Sequence, residues 1–196
     1  MKGLLWIVTL LRVGLIPVFV YLGSTAQELG RSGDGGDAYR IAALVTIAVM
    51  GLTDLLDGWI ARKWKLVSTS GATADAVADK LVQVALVAFF ALSVGPAFRA
   101  IPMWFLVVIF GRDLVLLVGV LMLRARYGAL TVVHRWHGRT ASFLMHVVLF
   151  WAALRLPAGP MTVLMVATSG LSIYSATIYA LDGAAQGSAI AAGSPN

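Results

Sequence analysis

No cysteine occurs among the 196 residues, which excludes disulfides, thiol chemistry and cysteine-ligated metals. Charge is scarce too: 12% of residues are charged, about half of what a soluble domain carries. Acidic residues number only nine, against fifteen lysines and arginines. Apolar residues fill the space instead, at 60% of the chain, with a mean hydropathy of +0.89. Such a chain reads as a membrane protein almost throughout. Its formal charge of +6 would suit nucleic acid. In so apolar a setting it is better read as the cytoplasmic excess of Lys and Arg on a membrane protein, with no nucleic-acid partner. A positive cytosolic rim would also attract anionic lipid headgroups.

The hydrophobic runs predict six spans. Residues 4–24 form the first; Arg12 and Pro17 interrupt the run and no convincing cleavage site follows, so a span is expected rather than a cleaved signal. Residues 25–38, Gly-rich and polar, read as an exposed loop. Spans two to six are expected at residues 39–61, 72–94, 103–123, 140–154 and 161–181, with polar links at 62–71 and 124–139 and a turn between Pro96 and Pro102. Residues 1–182 thus read as a single six-helix transmembrane catalytic domain, and residues 183–196 as a flexible tail. With six spans both termini share a side. Lys2, Arg62, Lys63, Lys65, Arg124, Arg126, Arg135 and Arg139 lie on that side, against Arg31, Arg40, Arg99 and Arg155 on the other. Eight cations against four favour cytoplasmic termini.

Four of the nine acids, Asp54, Asp57, Asp75 and Asp79, fall in one stretch around the link at 62–71. On helices, residues three or four apart share a face, so each pair lines up. Two helices joined by a short turn can bring four carboxylates to one point. Unneutralised, those carboxylates would repel one another. In an apolar setting they imply a divalent cation, and an all-oxygen donor set points to Mg²⁺ or Mn²⁺, with room for two ions. By the charge count this cluster faces the cytosol, where nucleotides are available. It suits phosphoryl-type chemistry, in which such ions neutralise a diphosphate. Gly58, Gly71 and Ala61 leave room for close approach, and Arg62 is placed to hold a phosphate. A structural role would pair the acids with Arg62, Lys63, Lys65 and Lys80. An ion path would spread them across the membrane instead of gathering them at one face.

The pattern Asp54-x2-Asp57-Gly58-x2-Ala61-Arg62-x8-Gly71-x3-Asp75-x3-Asp79 fixes eight positions across 26 residues. It resembles, without a gap or substitution, the signature of the CDP-alcohol phosphatidyltransferase family. Thr9-x2-Arg12 with Pro17, Arg112-Asp113, and Ser169-Gly170-x3-Tyr174 extend the likeness along the chain. The resemblance implies transfer of a substituted phosphate from a CDP-linked donor to an alcohol with release of CMP, by a homodimer in the cell (inner) membrane. It implies Asp54, Asp57, Asp75 and Asp79 as metal ligands, with Asp79 also the catalytic base for the acceptor hydroxyl. It implies a CDP site lined by Asp54, Gly58, Ala61, Arg62, Gly71 and Asp75. The fold expected is all-α and integral to the membrane: six transmembrane helices with a cytosol-facing active-site cavity.

Within the family the chain is most similar to phosphatidylglycerophosphate synthases. The substrates expected are CDP-diacylglycerol and a small phosphorylated alcohol, glycerol 3-phosphate; Arg112, Arg135 and Arg139 are candidates for the acceptor phosphate. The chain departs from the usual pattern at Trp6, where an Asn is common, at Ala76, where a Pro is common, and in the basic loop around His134 and His137. Phosphatidylglycerol (as in cardiolipin synthases), inositol phosphate or serine are alternative acceptors. Arg112 and Asp113 also read as an internal ion pair, and Lys80 as either a phosphate ligand or a snorkelling side chain. A non-catalytic membrane scaffold or a small transporter are readings of another class, and neither gives the complete aspartate set an obvious use.

Overall fold

The computed structural model describes the backbone of residues 2–63, 69–127 and 136–191, and the side chains of residues 9–53, 77–122, 125–126, 140–141 and 143–186. Six helices make up these residues: α1 (Lys2–Ser32), α2 (Asp37–Lys63), α3 (Thr69–Leu92), α4 (Met103–Tyr127), α5 (Trp136–Ala153) and α6 (Ala158–Ala191). Three contain runs long and apolar enough to cross a membrane: Thr9–Ser32, Met103–Met122 and Ala158–Gln186. The regular structure of the described residues is therefore all helical, and the chain is a membrane protein. In α5 the apolar stretch, Phe143–Ala153, is shorter than a bilayer requires.

The chain divides into two compact bodies, one comprising Met1–Ile101 with Ala152–Leu156, the other Pro102–Trp151 with Pro157–Asn196. In the first body α1 packs against both α2 and α3. Phe19, Phe89, Phe90 and Phe98 are all buried there and meet edge to face; Phe19 and Phe89 have centroids 4.8 Å apart. Gly23 makes this contact possible: a Cβ on it would sit 2.5 Å from the Phe89 ring. Pro17 lies inside α1 without ending it.

Residues 25–32, expected as loop, are the last turns of α1. Ala, Gln, Glu, Leu and Arg favour the helix, and Ala26 and Gln27 are 1% exposed, so packing outweighs the polar composition. The break comes at Gly33, Gly35 and Gly36, whose φ of 81°, 91° and 107° suits glycine. Asp37 then opens α2, where an acid favours the positive end of the helix dipole.

The turn after α3 is tied down from α1. The Gln27 side-chain amide donates to the Ser93 carbonyl (2.7 Å), and its oxygen accepts from the Ala97 N–H (2.9 Å). Arg31 donates to the Val94 carbonyl. Residues 152–156 join the same knot, since Arg99 donates from its backbone N–H to Ala152 (3.0 Å) and from Nε to Leu156 (2.6 Å).

In the second body α4 packs against α6. Buried residues of α6 begin with Met161 and Met165 and continue as Thr168, Ser169, Ser172 and Ser175. Helix α6 runs on to Ala191, into the stretch that the sequence assigns to a tail. Alanines such as Ala184, Ala185 and Ala189 favour that continuation.

Candidate functional site

Helix α2 carries Asp54, Asp57, Gly58, Ala61 and Arg62 toward its C-terminal end, and α3 carries Gly71, Asp75 and Asp79 toward its N-terminal end. Both belong to the first body. Only residues 64–68 separate Lys63 from Thr69, so the two helix ends lie within roughly 20 Å along the chain. Helical backbone at both pairs puts Asp54 with Asp57, and Asp75 with Asp79, on shared faces.

Asp79 is the one aspartate of the four whose side chain is described. It is half-buried, and no hydrogen bond or ion pair to it exists among the described residues. An ionised carboxylate is an acceptor only, able to take a metal ion or a proton. The face bearing Asp75 and Asp79 continues through Gln83, itself only 7% exposed. Lys80 donates to Gln83 Oε1 (3.0 Å), which directs its ammonium along α3 toward the C-terminal end. Gln83 escaped the sequence reading, although its spacing of four from Asp79 was the available signal. On α1, Thr9 and Arg12 share a face and are both buried, Arg12 at 1% exposed. Thr53, just before the first aspartate, bonds back to Val49 and Met50 (2.9 Å each) and so holds α2 regular at that point.

The side chains of Asp54, Asp57, Gly58, Ala61, Arg62, Gly71 and Asp75 lie outside the described residues, as do Arg135 and the side chain of Arg139. Among the described residues no three His, Asp or Glu side chains form a metal-binding group. On α4 of the second body Arg112 pairs with its neighbour Asp113 at 2.8 Å, each side chain about one-fifth exposed. The guanidinium Nε is buried and has no partner among the described residues. A partly desolvated ion pair inside an apolar helix is costly, and residues of this kind in membrane segments usually serve function.

No solved structure matches this chain. Curated relatives do, and three of them are representative. A cardiolipin synthase (CMP-forming) of Streptomyces coelicolor is 32% identical over 138 residues, 70% of this chain and 58% of the relative. The CDP-diacylglycerol--glycerol-3-phosphate 3-phosphatidyltransferase of Bacillus subtilis is 33% identical over 109 residues, 54% of either chain. A probable phosphatidylglycerophosphate synthase of Mycobacterium tuberculosis is 31% identical over 183 residues, 90% of this chain and 77% of the relative. The match thus spans little more than half the length of the first two relatives. The model of CDP-alcohol phosphatidyltransferases matches residues 6–174, which takes in the aspartate stretch, the Thr9–Arg12 face, the Arg112–Asp113 pair and the buried Ser169 and Ser172 of α6. With that span covered, and one relative matched along nine-tenths of the chain, this protein belongs to the CDP-alcohol phosphatidyltransferase family.

Proposed function

We propose that the protein transfers the phosphatidyl group of CDP-diacylglycerol to glycerol 3-phosphate, releasing CMP and forming phosphatidylglycerophosphate. The observation that carries this reading is the half-buried Asp79, without a hydrogen-bond or ion-pair partner among the described residues, on a helical face shared with Asp75 in a chain of this family. Two of the relatives, from Bacillus subtilis and Mycobacterium tuberculosis, bear names for this reaction.

In this reading Asp54, Asp57, Asp75 and Asp79 would hold divalent cations, Mg²⁺ or Mn²⁺. Bound there, the ions would neutralise the diphosphate of the donor and ease departure of CMP. Two carboxylates from each of two helices form the hard-oxygen donor set that such ions prefer. Gly58, Ala61, Arg62 and Gly71 would admit the CDP moiety, with Arg62 offering a planar fork to a phosphate. Asp79 takes the proton from the acceptor hydroxyl. That oxygen forms the new bond to the lipid-linked phosphorus as the bond from phosphorus to the CMP oxygen breaks. Arg112, Arg135 and Arg139 would receive the acceptor's own phosphate.

All six helices would span the membrane, with both termini and the catalytic cavity on the cytosolic side and the lipid tails of the donor remaining in the bilayer. The protein would act as a homodimer in the cell membrane. A second acceptor, phosphatidylglycerol, is favoured by one specific observation, the likeness to the Streptomyces coelicolor cardiolipin synthase.

The test is release of labelled CMP by purified protein given CDP-diacylglycerol, Mg²⁺ and one acceptor at a time. Glycerol 3-phosphate should stimulate release, Asp79→Asn should lower it by about 10²–10⁴-fold, and EDTA should abolish it until Mg²⁺ is restored. Stimulation by phosphatidylglycerol alone would move the protein to the second reading. Full activity in Asp79→Asn would overturn the assignment of the base.

A further inference from the structure

A second feature of the first body lies far from the aspartates. From Asp79 to Leu92, α3 rises about 20 Å. Toward that far end, beside the seam where Gly23 meets Phe89, α1 and α3 leave a cleft of ≈ 520 Å³. This volume falls in the range of small-ligand sites. It has room because α3 presents the small methyl groups of Ala85 and Ala88 to it, while Phe89, which also lines it, is held by its ring contacts with Phe19, Phe90 and Phe98. Its apolar wall is completed by Val20 and Leu92, and Glu28 and Arg31 stand at one end.

The two charges are three residues apart on α1, on one helical face with Cβ atoms about 5–6 Å apart. Both lie in the last turns of the apolar run Thr9–Ser32, where a span reaches the headgroup level. Arg31 is fixed in place by its bond to the Val94 carbonyl, which leaves further N–H donors for a ligand. Glu28 forms no ion pair among the described residues. An apolar slot ending in one fixed cation and one anion is complementary to a molecule with an apolar chain and a head of adjacent phosphate and ammonium.

We propose that this cleft binds the headgroup end of a zwitterionic phospholipid, with the phosphate on Arg31, the ammonium beside Glu28 and the start of a chain along Ala85 and Ala88. An anionic lipid without the ammonium would satisfy Arg31 but place negative charge next to Glu28. The site is separate from the catalytic one, and its occupant is a structural or modulating lipid, not a substrate.

The test uses the full chain in nanodiscs containing phosphatidylethanolamine or phosphatidylglycerol, each carrying a photoactivatable group near the headgroup, with labelled peptides located by mass spectrometry. Label from phosphatidylethanolamine should fall on residues 20–31 and 85–93 and exceed that from phosphatidylglycerol about two- to fivefold, the scale of an exposed charge pair. Glu28→Lys, an exposed change that leaves the packing intact, should reverse the preference. Ala88→Trp should fill the slot and remove both labels there, with monodispersity on a sizing column as the check of folding. Equal labelling by the two lipids, or a preference unmoved by Glu28→Lys, would overturn the proposal. So would a second copy in the cleft: the chain has no native cysteine, so Ser24→Cys gives a single thiol whose oxidation to a covalent dimer would reveal that occupant.

Discussion

The buried positions of α1, α3 and the turn after it carry Phe19, Phe89, Phe90 and Phe98, whereas α6 in the second body, beyond Met161 and Met165, buries Thr168, Ser169, Ser172 and Ser175. Both solutions suit a membrane, where helices are not driven together by water and must gain from packing or hydrogen bonds. The rings supply a large contact area in fixed edge-to-face geometry. The hydroxyls let helices approach closely but contribute little area of their own. The first body is also laced by side-chain bonds from Gln27, Arg31 and Arg99 to backbone carbonyls of its turns. It is the body that carries all four aspartates, and a site built on two helix ends needs a frame that does not shift.

If the rings supply that frame, removing one should have the largest effect. Phe90, 1% exposed and touching three other rings, should lose about 3–5 kcal/mol on Phe90→Ala, read as lowered stability to unfolding in detergent. The Gln27 clamp comes next. Gln27→Ala leaves the Ala97 N–H and the Ser93 carbonyl without partners and should cost about 2–3 kcal/mol, with faster proteolysis within residues 93–101. Gly23→Ala should cost about 1–3 kcal/mol, because the new methyl meets a ring that three others hold in place. A Phe90→Ala chain as stable as the parent would remove the basis of the contrast between the two bodies.

Much of this was legible in the residues. Six helices follow from the apolar runs, and the aspartate stretch stands out because acids at helical spacing inside such runs have few other uses. Residues 25–32 were hidden because Gly, Ser and charge suggest a loop, while the burial of Ala26 and Gln27 depends on what α3 and its turn present to them. The cleft beside Ala85 and Ala88 was hidden for a related reason. Periodicity marks which face of a helix is apolar; it does not register that two methyls beside a fixed ring leave a space. The pairing of Arg112 with Asp113 was open in the sequence, since neighbours in a helix point about 100° apart and only the side-chain geometry shows the 2.8 Å contact.

The smallest expected effect tests the other side of the contrast. Six threonines within helices bond back to a carbonyl one turn earlier: Thr25, Thr46, Thr53, Thr162, Thr168 and Thr177. Ser169 and Ser175 do not; their hydroxyl oxygens are buried and have no partner among the described residues. A buried hydroxyl without a partner keeps its desolvation cost and gains nothing in return. Ser175→Ala, at a site with no exposure, should therefore change stability by less than about 0.5 kcal/mol, or raise it, while Thr168→Ala should lower it by about 1 kcal/mol through loss of the 2.7 Å bond to Leu164. Unfolding of the two variants in the same detergent makes the comparison. A loss of 1–2 kcal/mol on Ser175→Ala would mean that this hydroxyl has a partner after all, such as a buried water. The polar face of α6 would then be a hydrated element rather than a close-packing one, and the two bodies would differ in purpose as well as in packing.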